Sequence, residues 1–168
     1  MAEKAIYDWL PRIEFTLDHP VAAVWPHILR WERWIEGAQY STQTVSGKRG
    51  EIGETIKITQ RVMGDEVGTD FYTEVVKIIE NKQFMMKILP LKQPMGPIEA
   101  ITGYEVFDLH EHDGRTVVVY QTIAQLETSK LDHAKFQEYG RREIEAGEKL
   151  WPQGFIPRLK ALIENAAR

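Results

Sequence analysis

The sequence predicts an α+β fold in which a seven-stranded antiparallel curved sheet wraps around one long C-terminal helix. Apolar and polar residues alternate through most of the first 126 residues, as they do in half-buried strands. Short turns join most of these strand segments, which favours antiparallel pairing over a parallel α/β sheet. After residue 126 the apolar spacing becomes helical. A chain of 168 residues has room for one domain and hardly two.

Composition excludes several classes of function. The chain carries 21 basic and 25 acidic residues, a net charge of −4, and offers no cationic surface for nucleic acid or anionic membranes. It has no cysteine, which excludes disulfides, thiol nucleophiles and cysteine-ligated metals. No apolar run is long enough to span a bilayer, and the first residues lack a signal-peptide pattern. We therefore expect no membrane span and a cytoplasmic location.

The first third of the chain predicts one strand and two short helices. Residues 1–11 are expected to form a loose leader to a single domain over residues 12–168. Alternation over Ile13–Leu17 predicts the first strand, which Pro20 ends. Helical spacing of apolar residues then predicts two short helices, over 21–29 and 31–36.

The middle of the chain predicts six further strands joined mostly by tight turns. Asp113-Gly114 is a strong hairpin signal between the last two of them. The segment 90–97 contains three prolines and is expected to be a loop, either a lid over a pocket or a stiff connector. The predicted strands cover residues 40–46, 54–62, 71–79, 84–89, 99–109 and 116–126.

The last forty residues predict a long helix, which Pro152 and Pro157 should kink or divide. Gly140, Gly147 and Gly154 are seven residues apart and fall near one face of it. A glycine inside a helix costs about 1 kcal/mol relative to alanine. These three positions therefore favour either close packing on the sheet or room for a ligand.

The element order and three motifs resemble the START-like helix-grip superfamily, also called SRPBCC. This superfamily includes polyketide cyclase/dehydrase-type, Bet v 1-type, lipid-transfer START and Hsp90-activator C-terminal domains. The resemblance covers roughly residues 12–165 and implies a cavity between the sheet and the long helix. It transfers no catalytic residue, because members of the fold include carriers, receptors and enzymes. The motifs are Phe15-Thr16-Leu17-Asp18-His19-Pro20-Val21-Ala22-Ala23-Val24-Trp25, the turn Asp113-Gly114-Arg115-Thr116-Val117, and Trp151-Pro152 in the terminal helix.

Strand parity gives a list of residues expected to face this cavity. A β-bulge of one residue would invert the parity of any strand. The predicted apolar lining is Ile56, Ile58, Phe84, Met86, Phe107 and Val118 from the sheet, joined by Glu143, Gly147 and Trp151 from the helix. The predicted polar residues on the same wall are Asp70, Tyr72, Glu74, Glu105 and Tyr120.

The polar set predicts acid-base chemistry without a cofactor or a metal. Two carboxyl groups in unlike surroundings can hold different pKa values and so pass a proton at neutral pH. Glu105 or Glu74 would be the base, Tyr120 and Tyr72 would donate hydrogen bonds to a developing oxyanion, and Asp70 lies nearer the rim. Alternatively, both glutamates pair with basic residues or face solvent.

Two other groups of residues have a functional and a structural interpretation. His110 and His112 could ligate a metal, but a solvated hairpin turn is the better interpretation, since no third ligand is close in sequence. Trp25, Trp31, Trp34 and Tyr40 could line a cavity mouth, although Trp25 is expected to be core.

The sequence therefore predicts a monomer or homodimer that binds a small hydrophobic, aromatic or polycyclic molecule. Catalysis of the cyclase, dehydratase or carbon–carbon lyase type is favoured. A non-catalytic carrier or sensor and an Hsp90-activator-like interaction module are the alternatives.

Overall fold

Eight strands form one antiparallel sheet in the computed structural model, which describes residues 4–37, 40–60 and 68–167. Their order across the sheet is β1–β8–β7–β6–β5–β4–β3, and β2 also pairs with β8. The predicted antiparallel curved sheet is therefore confirmed, with one strand more than expected. The strands are β1 (Ala5–Trp9), β2 (Arg12–Leu17), β3 (Tyr40–Ser46), β4 (Thr55–Gln60), β5 (Thr69–Ile79), β6 (Gln83–Ile88), β7 (Ala100–His112) and β8 (Arg115–Thr128).

The additional strand is β1, which lies inside the segment expected to be a loose leader. It pairs with the second half of β8, from Ala5 opposite Thr128 to Trp9 opposite Ala124. After Pro11 the chain continues as β2, which pairs with the first half of the same strand. Both strands share one edge of β8 because β8 is long enough to hold them end to end. The expectation of a loose leader is thus wrong for Ala5–Trp9.

The two predicted short helices follow β2, as α1 (Val21–Ile28) and α2 (Glu32–Ile35). The long C-terminal helix consists of α3 (His133–Leu150), a π-helical turn (Trp151–Phe155) and α4 (Ile156–Ala166). The predicted break at Pro152 is this π-helical turn, since proline has no N–H to continue the α-helical hydrogen bonds.

The interior on the concave side of the sheet contains a large cluster of buried aromatic and aliphatic side chains. Trp34 is fully buried and contacts Phe107, Trp151 and Phe155 edge to face, with ring centroids 5.7–6.4 Å apart. These rings fill the space between the sheet and α2, the π-helical turn and α4. Trp25 and Trp31 are also buried in this cluster, so these tryptophans belong to the core rather than to a cavity mouth.

A smaller cluster lies at the other end of the interior, around Phe136 at the start of α3. Ile98 and Leu126 are buried in it, and Leu91 and Met95 from the loop over residues 90–97 pack against it. The loop therefore covers the N-terminal end of α3. Whether it moves as a lid stays a prediction.

Candidate functional site

Inward-facing residues were predicted for five strands. On four of these strands the predicted residues lie on the concave side of the sheet. Phe84, Met86 and Ile88 on β6 are buried. The roles of these residues in binding a ligand stay predictions. The remaining apolar sheet residues of the predicted lining, all buried, are Ile56, Ile58, Phe107 and Val118.

The predicted inward face of β5 is wrong over the first part of the strand. The register between β5 and β6 shifts between Val75 and Lys77, which is a β-bulge at Val76. Thr73 and Val75 are buried on the concave side, and the carboxyl and phenol side chains beside them lie on the opposite, outer face. The residues misplaced by this inversion are Asp70, Tyr72 and Glu74.

On the outer face these side chains have neighbours of their own. Asp70 accepts a hydrogen bond of 2.6 Å from the Thr59 hydroxyl and lies 3.5 Å from Lys57 Nζ. The ring of Tyr72 lies 4.0 Å below the ammonium group of Lys92. The structure therefore does not bring these residues together with Glu105, and they leave the candidate site.

Glu105 and Tyr120 do lie together on the concave side. The phenol of Tyr120 donates a hydrogen bond of 2.9 Å to Glu105 Oε1, and Thr122 Oγ1 lies 3.1 Å from the same phenol oxygen. A phenol has one proton, so a bond donated to Glu105 makes Thr122 the donor in the second contact. The three side chains form a chain that runs along two neighbouring strands, β7 and β8.

The surroundings of this chain disfavour negative charge. Burial raises the pKa of the Glu105 carboxyl, and the hydrogen bond from Tyr120 offsets only part of that rise. Burial also holds the pKa of Tyr120 well above its ordinary value, and the charge of Glu105 raises it further. Both side chains are largely buried, and each keeps a small exposed surface.

The middle of α3 leaves a gap above the sheet. Phe136, Gly140, Glu143, Gly147 and Trp151 recur at intervals of three to four residues, which places them on one face of the helix. Phe136, Gly140 and Trp151 are buried, yet Glu143 is exposed, and a Cβ built on Gly147 has no atom within 4 Å. The inward face of α3 is therefore packed at both ends and open between them.

Two tyrosines outside the predicted site border the same space. Burial raises the pKa of Tyr40 on β3, and the charges of Glu143 and Glu105 raise it further. Burial, together with Glu143, raises the pKa of Tyr139 on α3 to about 12. Tyr40 is therefore close enough to both carboxyl groups for their charges to act on its phenol.

A pocket of about 190 Å³ lies beside the π-helical turn and shares Tyr40 with this region. The ring of Tyr40 forms one wall and packs on Phe155, with ring centroids 5.8 Å apart. Arg158 lies at its rim and donates a hydrogen bond of 2.6 Å to the carbonyl of Glu36. The remaining lining residues are Ile35, Gly37, Leu150 and Gly154. We refer to this pocket and the gap under α3 together as the α3 cleft.

Among the residues that the sequence predicts to face the cavity, Glu105, Tyr120, Glu143 and Gly147 border the α3 cleft. Tyr40 had been proposed for a cavity mouth, and it does line the pocket. Tyr139 had not been proposed at all, although it lies one turn before Glu143 and so falls near the same helix face. Trp151 is buried and stacks on Tyr120, with ring centroids 4.5 Å apart, so it closes one end of the cleft.

A wider groove of about 560 Å³ lies elsewhere, at the end of the sheet where β5 turns into β6. Lys77, Gln83 and Asp108 on its wall lie on the outer face, away from Glu105. It contains none of the residues that the sequence predicted for the site.

The predicted histidine pair occupies an exposed hairpin between β7 and β8. His112 contacts Asp113 at 2.9 Å, and both side chains are more than four-fifths exposed. Over residues 4–37, 40–60 and 68–167, no group of three or more histidine and acidic side chains could hold a metal ion. Over the same ranges, no helix has the length and apolar character needed to cross a bilayer.

Comparison with known proteins gives matches in structure alone. No protein-family model matches the sequence, and no curated protein matches it at a significant level. Among solved structures, that of Ara h 8.0201 superposes with a TM-score of 0.63 at 15% identity, over 96% of this chain and 99% of that one.

Two bacterial structures superpose equally well. A conserved protein from Geobacillus kaustophilus gives a TM-score of 0.65 at 18% identity, over 94% of this chain and 96% of that one. A START superfamily protein from Mycobacterium smegmatis gives 0.62 at 10% identity, over 94% of this chain and 98% of that one. At these identities the likeness is one of fold.

Proposed function

From the START/Bet v 1-like helix-grip fold of this chain, we propose that the protein binds a small, largely apolar molecule in the α3 cleft. The observation that carries the proposal is Gly147. It lies on the inward face of α3 between buried Gly140 and buried Trp151, yet no atom lies within 4 Å of where its side chain would begin. If α3 served only to cover a hydrophobic core, we would expect a larger side chain at position 147, packed against the sheet.

The walls of the α3 cleft suit an aromatic ligand. Tyr40 and Phe155 add aromatic surface to the pocket and Leu150 adds aliphatic surface, whereas the Tyr120 ring is covered by Trp151 and Phe107. Ligand sites are typically apolar walls with a few polar groups that fix orientation. Glu105 and the Tyr120 phenol would be those groups.

Filling the gap tests this function. The probe is N-phenyl-1-naphthylamine, an uncharged dye that fluoresces more strongly in apolar surroundings. We expect the wild type to bind it saturably and Gly147→Leu to bind it at least tenfold more weakly, because a leucine side chain would occupy the gap. Gly147→Ala adds one methyl group and is the matched control, with nearly unchanged affinity.

Dye binding at another surface would appear as equal affinity in both variants, and that result would overturn the proposal, as would the absence of saturable binding. Ile123→Ala checks the outer face, where Ile123 is 48% exposed beside Tyr104. Thermal unfolding of each variant shows that the fold is retained.

A second candidate function is proton transfer on the bound molecule, and the Glu105–Tyr120 pair favours it. A base with a raised pKa can take a proton near neutral pH. Glu105 would take a proton from a carbon beside a carbonyl, and the Tyr120 phenol would then turn its hydrogen bond towards the enolate oxygen. Return of the proton from Glu105 to carbon completes the step without a cofactor.

The rate at which carbon-bound hydrogen of a ketone exchanges with solvent distinguishes an enzyme from a carrier. For 2-tetralone in D2O, followed by NMR, an enzyme should speed exchange at the positions beside the carbonyl, and Glu105→Gln should remove the acceleration but retain binding. A carrier would show no acceleration in either form. The cytoplasmic location, the monomer or homodimer state and the interaction-module alternative stay predictions.

A further inference from the structure

We propose that the α3 cleft prefers a ligand with a positive charge, a small organic amine on an apolar or aromatic body. This inference rests on the proposed binding function of the same cleft and adds the charge of its ligand. It follows from the acidic groups around the gap, since Arg158, the basic residue at the rim of the cleft, donates its hydrogen bond to the Glu36 carbonyl and not to either acid.

Two carboxyl groups border the gap and neither has a basic partner among the described residues. Glu105 enters from β7, and its one side-chain partner in those ranges is Tyr120, at Oε1. Glu143 enters from the inward face of α3 and forms no ion pair with any residue described. A cationic ligand would supply the missing partner.

The basic residues nearest in sequence to Glu143 are engaged elsewhere. Arg141 pairs with Glu138 and Glu145, and Arg142 pairs with Glu138. These contacts are all made within α3, one turn apart, along its exposed surface. These two arginines therefore leave Glu143 without an ion-pair partner on the face of α3 that borders the gap, where its side chain is exposed.

The pKa shifts of the tyrosines around the gap include an effect of nearby negative charge. Tyr40, Tyr120 and Tyr139 come from three different elements; burial is the main cause of the raised pKa of each, and nearby carboxylate charge raises it further. A site that disfavours phenolates disfavours carboxylate and phenolate ligands for the same reason. The ring of Tyr40, which lines the pocket, can attract a cation with a typical gain of about 0.5–2 kcal/mol, whereas the ring of Tyr120 is stacked on Trp151.

Hydrogen bonding also favours a donor over an acceptor as ligand. The Tyr120 proton is directed at Glu105, and the Thr122 hydroxyl is directed at Tyr120. The second carboxylate oxygen of Glu105, Oε2, has no hydrogen-bond donor among the described residues. An ammonium group carries three donors and could satisfy this oxygen, whereas an ether or carbonyl oxygen could not.

Three probes with one apolar body test the charge directly. They are 2-naphthylmethylamine, 2-naphthylmethanol and 2-naphthoate, which are a cation, a neutral molecule and an anion at pH 7. By titration calorimetry we expect the amine to bind about tenfold more tightly than the alcohol, and the anion to bind most weakly. In Glu105→Gln the ratio of amine to alcohol affinity should fall close to one, with the alcohol affinity retained.

Two further variants separate the contributions. Glu143→Gln should reduce the amine preference by a smaller factor, because this exposed carboxyl is better solvated than Glu105. Glu80→Gln removes an exposed acid at the turn between β5 and β6 and should leave all three affinities unchanged.

The outcomes distinguish this inference from the proposed function. Binding of the alcohol or the anion as tight as that of the amine overturns the inference and leaves the binding function standing. An amine preference that survives in Glu105→Gln also overturns it. If neither the dye nor any of the three probes binds, the proposed function itself is wrong.

Discussion

The two halves of the interior differ in what occupies the space between helix and sheet. Beneath α2, the π-helical turn and α4, the rings of Trp34, Phe107 and Trp151 meet at 5.7–6.5 Å and leave that region filled. Beneath the middle of α3, the inward positions are Gly147 and an exposed Glu143, and the sheet offers half-buried Glu105. We conclude that the filled half supplies stability and leaves the other half available for function.

The largest test of this division is Trp34→Ala in the filled half. Removal of a fully buried aromatic side chain costs about 3–5 kcal/mol, and Trp34 also donates a hydrogen bond of 3.0 Å to the carbonyl of His27. Chemical denaturation should show a loss of this size. Ile123→Ala on the outer face is the control, and its loss should be far smaller because that side chain is 48% exposed.

A loss under 1 kcal/mol in Trp34→Ala would contradict the division, since it would mean that the aromatic cluster is not what holds α2 and α4 to the sheet. Trp34→Phe keeps most of the packing and loses the hydrogen bond, so its effect should lie between those of the wild type and the alanine variant.

The boundary between the two halves is tested by alanine at two glycines of the same helix. A Cβ at Gly140 would lie 2.4 Å from the Tyr7 ring, and overpacking of this kind typically costs about 1–3 kcal/mol. Alanine at Gly147 meets nothing within 4 Å and should gain about 1 kcal/mol from helix propensity. Thermal unfolding should therefore move in opposite directions for Gly140→Ala and Gly147→Ala.

The double variant Tyr7→Ala with Gly140→Ala identifies the cause, because removal of the ring should abolish the penalty for the new methyl group. If both single variants stabilise the protein equally, β1 does not pack closely against α3 at Gly140. The gap would then extend further along the helix than the structure indicates.

These glycines also show what sequence could and could not predict. Their spacing of seven residues predicted either close packing or room for a ligand, and the structure contains one of each: Gly140 against Tyr7 and Gly147 over the gap. The two positions are alike in sequence. Only the packing of β1, a strand that sequence reasoning missed, distinguishes them.

Strand parity succeeded where alternation was strict and failed where it was not. β6 pairs with β7, and β7 pairs with β8 through the hairpin at Asp113-Gly114, both without a register shift, so Glu105 and Tyr120 lie on one face as predicted. On β5, Val75 and Val76 are adjacent β-branched residues, and either could face inward. The bulge there has no signature in sequence, and it moved Glu74 to the outer face.

The smallest expected effect is the loss of folding stability caused by the partly buried Glu105 carboxyl when it ionises. Burial raises its pKa in the folded chain above that in the unfolded chain, so the folded state binds the proton more tightly. The wild type should therefore lose stability, relative to a variant that cannot ionise, as the pH rises through that raised value. Glu105→Gln should match the wild type in Tm near pH 4 and exceed it at pH 8.

Calorimetry at the two pH values measures the sign of this difference in Tm. Glu80→Gln controls for the loss of one acidic charge from a chain of net charge −4. The opposite trend, with the wild type more stable at pH 8, would mean that a basic group supports the Glu105 carboxylate. The site would then lack the unpaired acid on which the proton transfer and the preference for a cationic ligand depend.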